Sequence, residues 1–204
     1  MHTHKSATTD HPIHELIAER WSPYAFSEKP VSLSDLQSLF EAARWAPSSY
    51  NEQPWRYIVA TKGEAADFER LLACLVEGNQ AWANNAPVLA VGCTSLRFAL
   101  NGKPNAAAIH DLGIASATLT FEATARGLHV HQMIGILPDK VRDAYAIPDD
   151  YQPLTGLAIG YAAPSDMLPD TLRQRDLAPR MRKPLREFVF GAEWGDPFFT
   201  TAST

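Results

Sequence analysis

Cys74 and Cys93 are the only cysteines among 204 residues, too few and too scattered for a disulfide framework or a zinc ribbon. No apolar run approaches the roughly 18 residues of a membrane-spanning helix. The opening Met1-His2-Thr3-His4-Lys5-Ser6 has no apolar signal region behind it. Basic charge is also in deficit: 18 lysines and arginines against 23 acidic residues leave a net charge of −5, the wrong sign for a protein that grips nucleic-acid phosphates. There is no G-x-G-x-x-G and no G-x-x-x-x-G-K-[ST], which disfavours a Rossmann or P-loop site. A G-x-S-x-G elbow and an H-E-x-x-H pair are missing as well, so the usual machinery of hydrolysis and metal chemistry is not visible. His2, His4, His11 and His14 crowd the N-terminus, but no cluster of acidic or thiol ligands accompanies them, so no metal site is expected. These absences point to a soluble protein of a reducing cytoplasm, with neither nucleic acid nor membrane as partner.

What is present is ordinary for a globular protein: 46% hydrophobic and 20% charged residues, enough for one domain with a sizeable core. Residues 1–10 are polar and aperiodic and read as a mobile tail, with residues 11–204 as a single domain. Ser32 followed by Asp35 resembles a helix cap ahead of Leu36, Leu39, Phe40 and Ala43, which share one helical face and must stop before Pro47. Trp55–Ala60 alternates like a strand. Phe68, Leu71, Leu72 and Leu75 write a second helix at i, i+3, i+4 and i+7. Pro87–Cys93 is continuously apolar, as in a strand buried on both faces. Ala106–Arg126 predicts a long helix closed by Gly127, with faces dominated by Ala107, Gly113, Ala115, Ser116, Ala117 and Ala123. Such a helix lets a neighbour approach closely and belongs at the centre of the fold or in a subunit interface. An extended piece over Leu128–Ile136, a short helix after Pro138 and a strand over Thr155–Tyr161 follow. From Arg173 the tail is basic, then aromatic.

The densest chemistry lies between the first long helix and the first strand, in Ala46-Pro47-Ser48-Ser49-Tyr50-Asn51-Glu52-Gln53-Pro54-Trp55. The prolines stiffen its ends. Between them, two hydroxyls and two carboxamides offer donors and acceptors side by side, which suits the imide edge of a flavin or the edge of a nucleobase, or equally a polar turn. Arg20 with Ser22, and Arg180 with Arg182, are candidate anion ligands, because a guanidinium forms bidentate, charge-assisted bonds to phosphate.

Taken together the chain resembles the nitroreductase family, the FMN-dependent NAD(P)H oxidoreductases. Six elements carry the likeness in order: Arg20-Trp21-Ser22; Glu41 through Trp55, the most specific; Asn79-Gln80-Ala81-Trp82 leading into Ala86-Pro87-Val88-Leu89; Asp111-Leu112-Gly113-Ile114-Ala115 continuing to Ala125-Arg126-Gly127-Leu128; Met133-Ile134-Gly135-Ile136; and Arg180-Met181-Arg182-Lys183-Pro184-Leu185. The resemblance implies an α+β fold with a mixed central sheet flanked by helices, and an intertwined homodimer with two FMN sites at its interface. It assigns cofactor contacts to Arg20, Trp21, Ser22, Pro47, Ser48, Ser49, Asn51, Asn79, Met133, Ile134, Gly135, Arg180 and Arg182. Within that set the arginines and Ser22 would hold the ribityl phosphate, and Ser48 and Asn51 would come from the partner subunit. Asn79 would meet the pyrimidine edge, and the N–H groups of Ile134 and Gly135 would face flavin N5 and O4. The small-residue helix would form much of the dimer contact.

The implied reaction is ping-pong: NADPH or NADH passes hydride to N5, then a planar, electron-poor acceptor such as a nitroaromatic or quinone takes it from the same face. No side-chain acid or base is required, so no catalytic residue is named. Other chemistry on the same scaffold (substrate dehydrogenation, dehalogenation, flavin fragmentation) and non-catalytic flavin binding remain alternatives. Three positions depart from the family pattern. Tyr24 stands where many members have a second basic residue, Trp82 where some have a lysine near the N1–O2 edge, and Thr118 where asparagine is common. Tyr24, Trp82, Trp194, Phe198 and Phe199 are each candidates for shaping the pocket or for packing.

Overall fold

A computed structural model describes residues 5–199. In chain order it holds α1 (Glu15–Glu19), α2 (Leu33–Arg44), β1 (Trp55–Thr61), α3 (Ala65–Leu72), α4 (Glu77–Ala83), β2 (Val88–Ser95), α5 (Ala108–Ala125), β3 (His129–Met133), α6 (Pro138–Tyr145), β4 (Tyr151–Gly160) and α7 (Asp170–Leu177). The strands form one sheet in the order β1-β2-β4-β3. Side chains of β2 alternate between two cores: Val88 and Ala90 face Leu36, Leu39, Leu112, Ala115 and Leu119 on one side. Leu89, Val91 and Cys93 face Phe68, Leu71, Trp82 and Val141 on the other. Both faces of the central strands are therefore covered, which is why the Pro87–Cys93 run lacks polar residues. Among the described residues no helix is long and apolar enough to cross a membrane.

The α+β architecture agrees with expectation, but the sheet within one chain is antiparallel throughout, not mixed. The physical reason lies in the connections. Lys62 N–H donates to the Pro87 carbonyl at 2.9 Å, so the chain re-enters β2 at the end where it left β1. The helical crossover α5 does join two strands running the same way, β2 and β3, but β4 lies between them and pairs antiparallel with each. Opposite Cys93 the β4 residue is Pro153, and the register shifts between Gly92 and Cys93, as expected where proline withholds a ladder donor.

Helix α2 is capped as its sequence dictates: Ser32 Oγ accepts from Asp35 N at 3.0 Å. Helix α5 closes with Gly127 at φ 70°. Gly127 N bonds to Thr124 O and Leu128 N to Ala123 O, the Schellman arrangement. Its small residues place α5 at the centre of the fold, against α1, α2 and the sheet. The periodicity through Leu75 overruns its helix, since α3 ends at Leu72. Leu75 reaches the same core through a bridge to Ile136 instead. Helices α1 and α7 are not evident in the sequence pattern, because neither carries an apolar face of three buried residues. Of the expected tail, residues 1–4 lie outside the described residues, and Ala7 N–H donates to the Ala18 carbonyl at 2.8 Å.

Candidate active site

Three groups of residues from the sequence reading assemble in three places. The first is an anion cradle. Arg20 caps the C-terminus of α1 through its backbone N–H, and its Nη1 donates to Ser22 Oγ at 3.2 Å. Arg180 and Arg182 follow α7. Arg180 Nη1 donates to the carbonyls of Lys5, at 2.9 Å, and Ala18, tying the two chain ends together. Asp176 on α7, 5% exposed, accepts from Tyr24 N at 2.8 Å and fixes the approach of this segment. Burial lowers the Arg20 pKa, and the Arg180 and Arg182 charges lower it further. Arg180 is lowered by burial and then by Arg182. Among the described residues, no ion pair joins any of the three to a carboxylate, and Arg180 Nε is buried without a partner. A cavity of 840 Å³ is walled by Arg20, Arg180, Arg182, Lys5 and Lys183 among others. A smaller one of 210 Å³ joins Arg20 and Ser22 to Thr120 and Gln132. Asp10 lines the larger cavity too and Asp176 acts on Lys5, but basic side chains outnumber them there, and such a surplus makes a site for an anion. Trp21 is turned elsewhere: its ring meets His129 edge-on at 5.4 Å and lines a separate pocket of 290 Å³.

The second group surrounds Gly135. Asn79 on α4 donates from Nδ2 to the Gly135 carbonyl at 3.0 Å, and Val76 N donates to the same oxygen at 3.1 Å. A Cβ at position 135 would stand 2.5 Å from Asn79 Nδ2 and 2.9 Å from Val76 Cγ2, so any other residue would push those side chains aside. Met133 ends β3 and is buried, and its carbonyl accepts from Thr155 Oγ1 at 3.3 Å. Ile134 beside it is 76% exposed, and among the described residues the N–H groups of Ile134 and Gly135 have no acceptor. A short peptide segment with uncommitted donors suits the polar edge of a planar ligand. Trp82 is no part of a pocket wall. It is 1% exposed, stacked on Phe26 and tilted over His131, while Tyr24 packs edge-on against it at 5.2 Å. Both belong to packing.

The third group is the Pro47–Gln53 loop. Ser48 Oγ accepts from Gln53 N at 3.1 Å, and Gln53 Nε2 donates to the Asn51 carbonyl at 3.0 Å. Tyr50, Asn51 and Gln53 all have positive φ, between 52° and 55°. Ser49 N donates to buried Asp111, and Glu52 accepts from Ala99 N at 2.6 Å. Neither cavity lined by Arg20 includes Asn79, Gly135 or any residue of this loop. The rings of Trp194, Phe198 and Phe199 pair within the C-terminal segment, Trp194 with Phe190 and Phe198 with Phe199, and they line none of these cavities.

The sequence reading assigns Asp176 no place, and Asp111 only one as the first residue of the Asp111–Ala115 element, without a role. Asp111 did leave a signal, a carboxylate on the apolar face shared by Ala108, Leu112 and Ala115. Asp176, in a run of polar residues, left none. Among the described residues no three His, Cys, Asp or Glu side chains converge as a metal site. His2 and His4 lie outside those residues.

Comparison with known proteins shows the family and the fold. The family model described as "Nitroreductase family" matches residues 17–87 and 65–161. A solved structure described as an oxidoreductase containing FMN superposes with a TM-score of 0.88 at 34% identity, covering 95% of this chain and 98% of its own. A nitroreductase family protein from Clostridium difficile shares the fold at a TM-score of 0.67 and 24% identity, covering 87% of this chain and 96% of that one. A "Putative NADH dehydrogenase/NAD(P)H nitroreductase" of Polynucleobacter asymbioticus is 30% identical over 183 residues, 80% of this chain and 92% of the relative.

Proposed function

The chain belongs to the nitroreductase family, and we propose that it is an FMN-dependent oxidoreductase that uses NADPH or NADH to reduce a planar, electron-poor acceptor, a nitroaromatic or a quinone, in ping-pong fashion. The observation that carries this reading is the set Arg20, Arg180 and Arg182, whose charges repel one another and whose Arg180 Nε is an orphaned buried donor. A phosphate dianion relieves that repulsion and gives the orphan an acceptor. The Gly135 cradle fits the other end of the same cofactor, since Ile134 beside it is exposed and the N–H groups of Ile134 and Gly135 are uncommitted.

FMN bound there supplies the relay of hydride between nicotinamide and acceptor. The protein's part is binding and orientation. Arg20, Ser22, Arg180 and Arg182 hold the phosphate. The N–H groups of Ile134 and Gly135, with the Asn79 carboxamide already tethered to the Gly135 carbonyl, fix the ring edge. Ser48 and Asn51 complete the site from a second copy of the chain. Several observations support a homodimer. The segment after Leu185 bonds mainly to itself, through Val189 N to Leu185 O, Gly191 N to Asp196 O and Phe198 N to Val189 O. Its aromatic side chains stay open, with Trp194 93% and Phe198 64% exposed. Strand β1 is a sheet edge, and edges of this kind are usually covered. The two buried free thiols, Cys74 and Cys93, suit the reducing cytoplasm in which NADPH and NADH are available.

Steady-state rates measured over a grid of NADPH and quinone concentrations test the reading. Parallel double-reciprocal lines are expected. Intersecting lines would rule out the ping-pong order, and absence of turnover with every nitroaromatic and quinone tried would rule out the acceptor class.

A further inference from the structure

We infer that Asp111 is a positioning residue for the ring-edge side of the site, holding the Ser48–Asn51 loop in the geometry that meets the flavin. The inference rests on the flavin reading above. Asp111 sits in the first turn of α5 on its buried face and is 2% exposed. Its neighbours there, Ala108, Leu112 and Ala115, belong to an apolar core in which an aliphatic side chain would pack without penalty. A buried carboxylate is costly unless it is hydrogen-bonded. Here Oδ2 accepts from Ser49 N at 3.1 Å, across 62 positions of sequence, and Oδ1 lies 3.2 Å from Nδ1 of His110, which is 74% exposed. The positive end of the α5 dipole favours the charge at this turn.

The loop needs such a tether. Tyr50, Asn51 and Gln53 adopt the left-handed region at φ 54°, 55° and 52°, which disfavours Tyr50 and Gln53 by about 1–2 kcal/mol each, whereas asparagine tolerates it better. Strained backbone of that kind persists only where the surroundings over-determine it. The internal bonds, Asn51 N to Ser48 O, Glu52 N to Ser49 O and Gln53 N to Ser48 Oγ, close the turn on itself without fixing it to the body. Three polar bonds do fix it. Arg56 on β1 donates from Nη1 to the Gln53 carbonyl at 3.1 Å, Glu52 accepts from Ala99 in the exposed loop after β2, and Ser49 is joined to Asp111 on the central helix. Asp111 is thus the link between the buried central helix and the half of the loop that carries Ser48 and Ser49. The exposed Asn51 carboxamide, with no hydrogen-bond partner among the described residues, is what the loop presents.

The test is a double-mutant cycle between Asp111 and Asn51 in the full-length protein, read as FMN affinity by fluorescence and as flavin midpoint potential at saturating FMN. D111A is expected to weaken FMN binding about 10-fold and D111N, which keeps an acceptor for Ser49 N, about 3-fold. In the N51A background the same changes add no more than about 2-fold, because Asp111 acts through the loop that carries Asn51. The potential is expected to move in the same direction in D111A and N51A, which a general loss of packing would not produce. If D111A does not fold, the D111N and N51A pair is read in the same way. Wild-type affinity and potential in D111N and D111A, or effects that multiply in full with N51A, would overturn the inference while leaving the flavin reading intact. Failure of the wild-type protein to bind FMN would overturn both.

Discussion

At the Arg20 end of the candidate site, side chains from separate stretches of chain converge with basic charge in excess, around cavities wide enough for a ligand. At the Ser48–Gln53 end one short turn is bonded to itself, held in a disfavoured backbone conformation, and tied down by Asp111 and Glu52. The first end is built from residue chemistry and stores electrostatic repulsion. The second is built from backbone geometry and stores conformational strain. A cofactor with an anionic tail and a flat polar head asks for both: the tail is held by charge, whereas the head is oriented by groups that must not move.

The largest effect should come from the charged end. Replacing Arg180 and Arg182 together by alanine is expected to weaken FMN binding more than about 100-fold, since each charge-assisted bond contributes about 1.5–3 kcal/mol. The chain should still fold, because relief of like-charge repulsion offsets the loss of the Arg180 bonds to the Lys5 and Ala18 carbonyls. Co-purified flavin measured by absorbance checks this, and normal retention would break the contrast between the ends. Next is Gly135→Ala. Its Cβ would collide with Asn79 and Val76, so a stability loss of about 1–3 kcal/mol in urea titration is expected, with weaker FMN binding. An unchanged urea midpoint would show that this cradle yields easily.

Asn51→Ala should be milder, about 3- to 10-fold in FMN affinity, with a measurable change in flavin potential and little change in unfolding midpoint. Unmoved potential would remove the Ser48–Gln53 loop from the site and leave the charged end standing alone. The smallest effect concerns His131, which lies beside the charged end. Its pKa is lowered from 6.5, first by burial, against opposing contributions from its bond to the Pro23 carbonyl and from Asp176, and with a further lowering by Arg20. The unfolded chain therefore takes up this proton more readily than the folded one. Stability from this group is full above about pH 6.5 and is lost as the pH falls below it. Urea midpoints measured from pH 7.5 to 5 should fall less steeply in His131→Gln than in the wild type.

The contrast also explains what could be read in the sequence. The arginines, the apolar β2 run, the α2 cap and the glycine that ends α5 are legible because each depends on residue type at a fixed spacing. The antiparallel sheet was not legible, because the insertion of β4 between β2 and β3 is a long-range choice with no local pattern. Leu75 matched a helical period by being buried for another reason. Trp82 could be assigned to the core only once Phe26 and His131 were seen stacked around it. The positive φ values at Tyr50 and Gln53 occur at residues that give little warning, whereas Asn51 is of a type that tolerates that region.

The central claim is that the two ends serve one cofactor, FMN, fed by a nicotinamide. Its most direct test is the absorbance spectrum of the purified protein supplied with FMN, followed by anaerobic addition of NADPH and then NADH. The account predicts protein-bound flavin bands that bleach rapidly with at least one nicotinamide. A protein that stays colourless after FMN is added, or a bound flavin that neither nicotinamide bleaches, would contradict it.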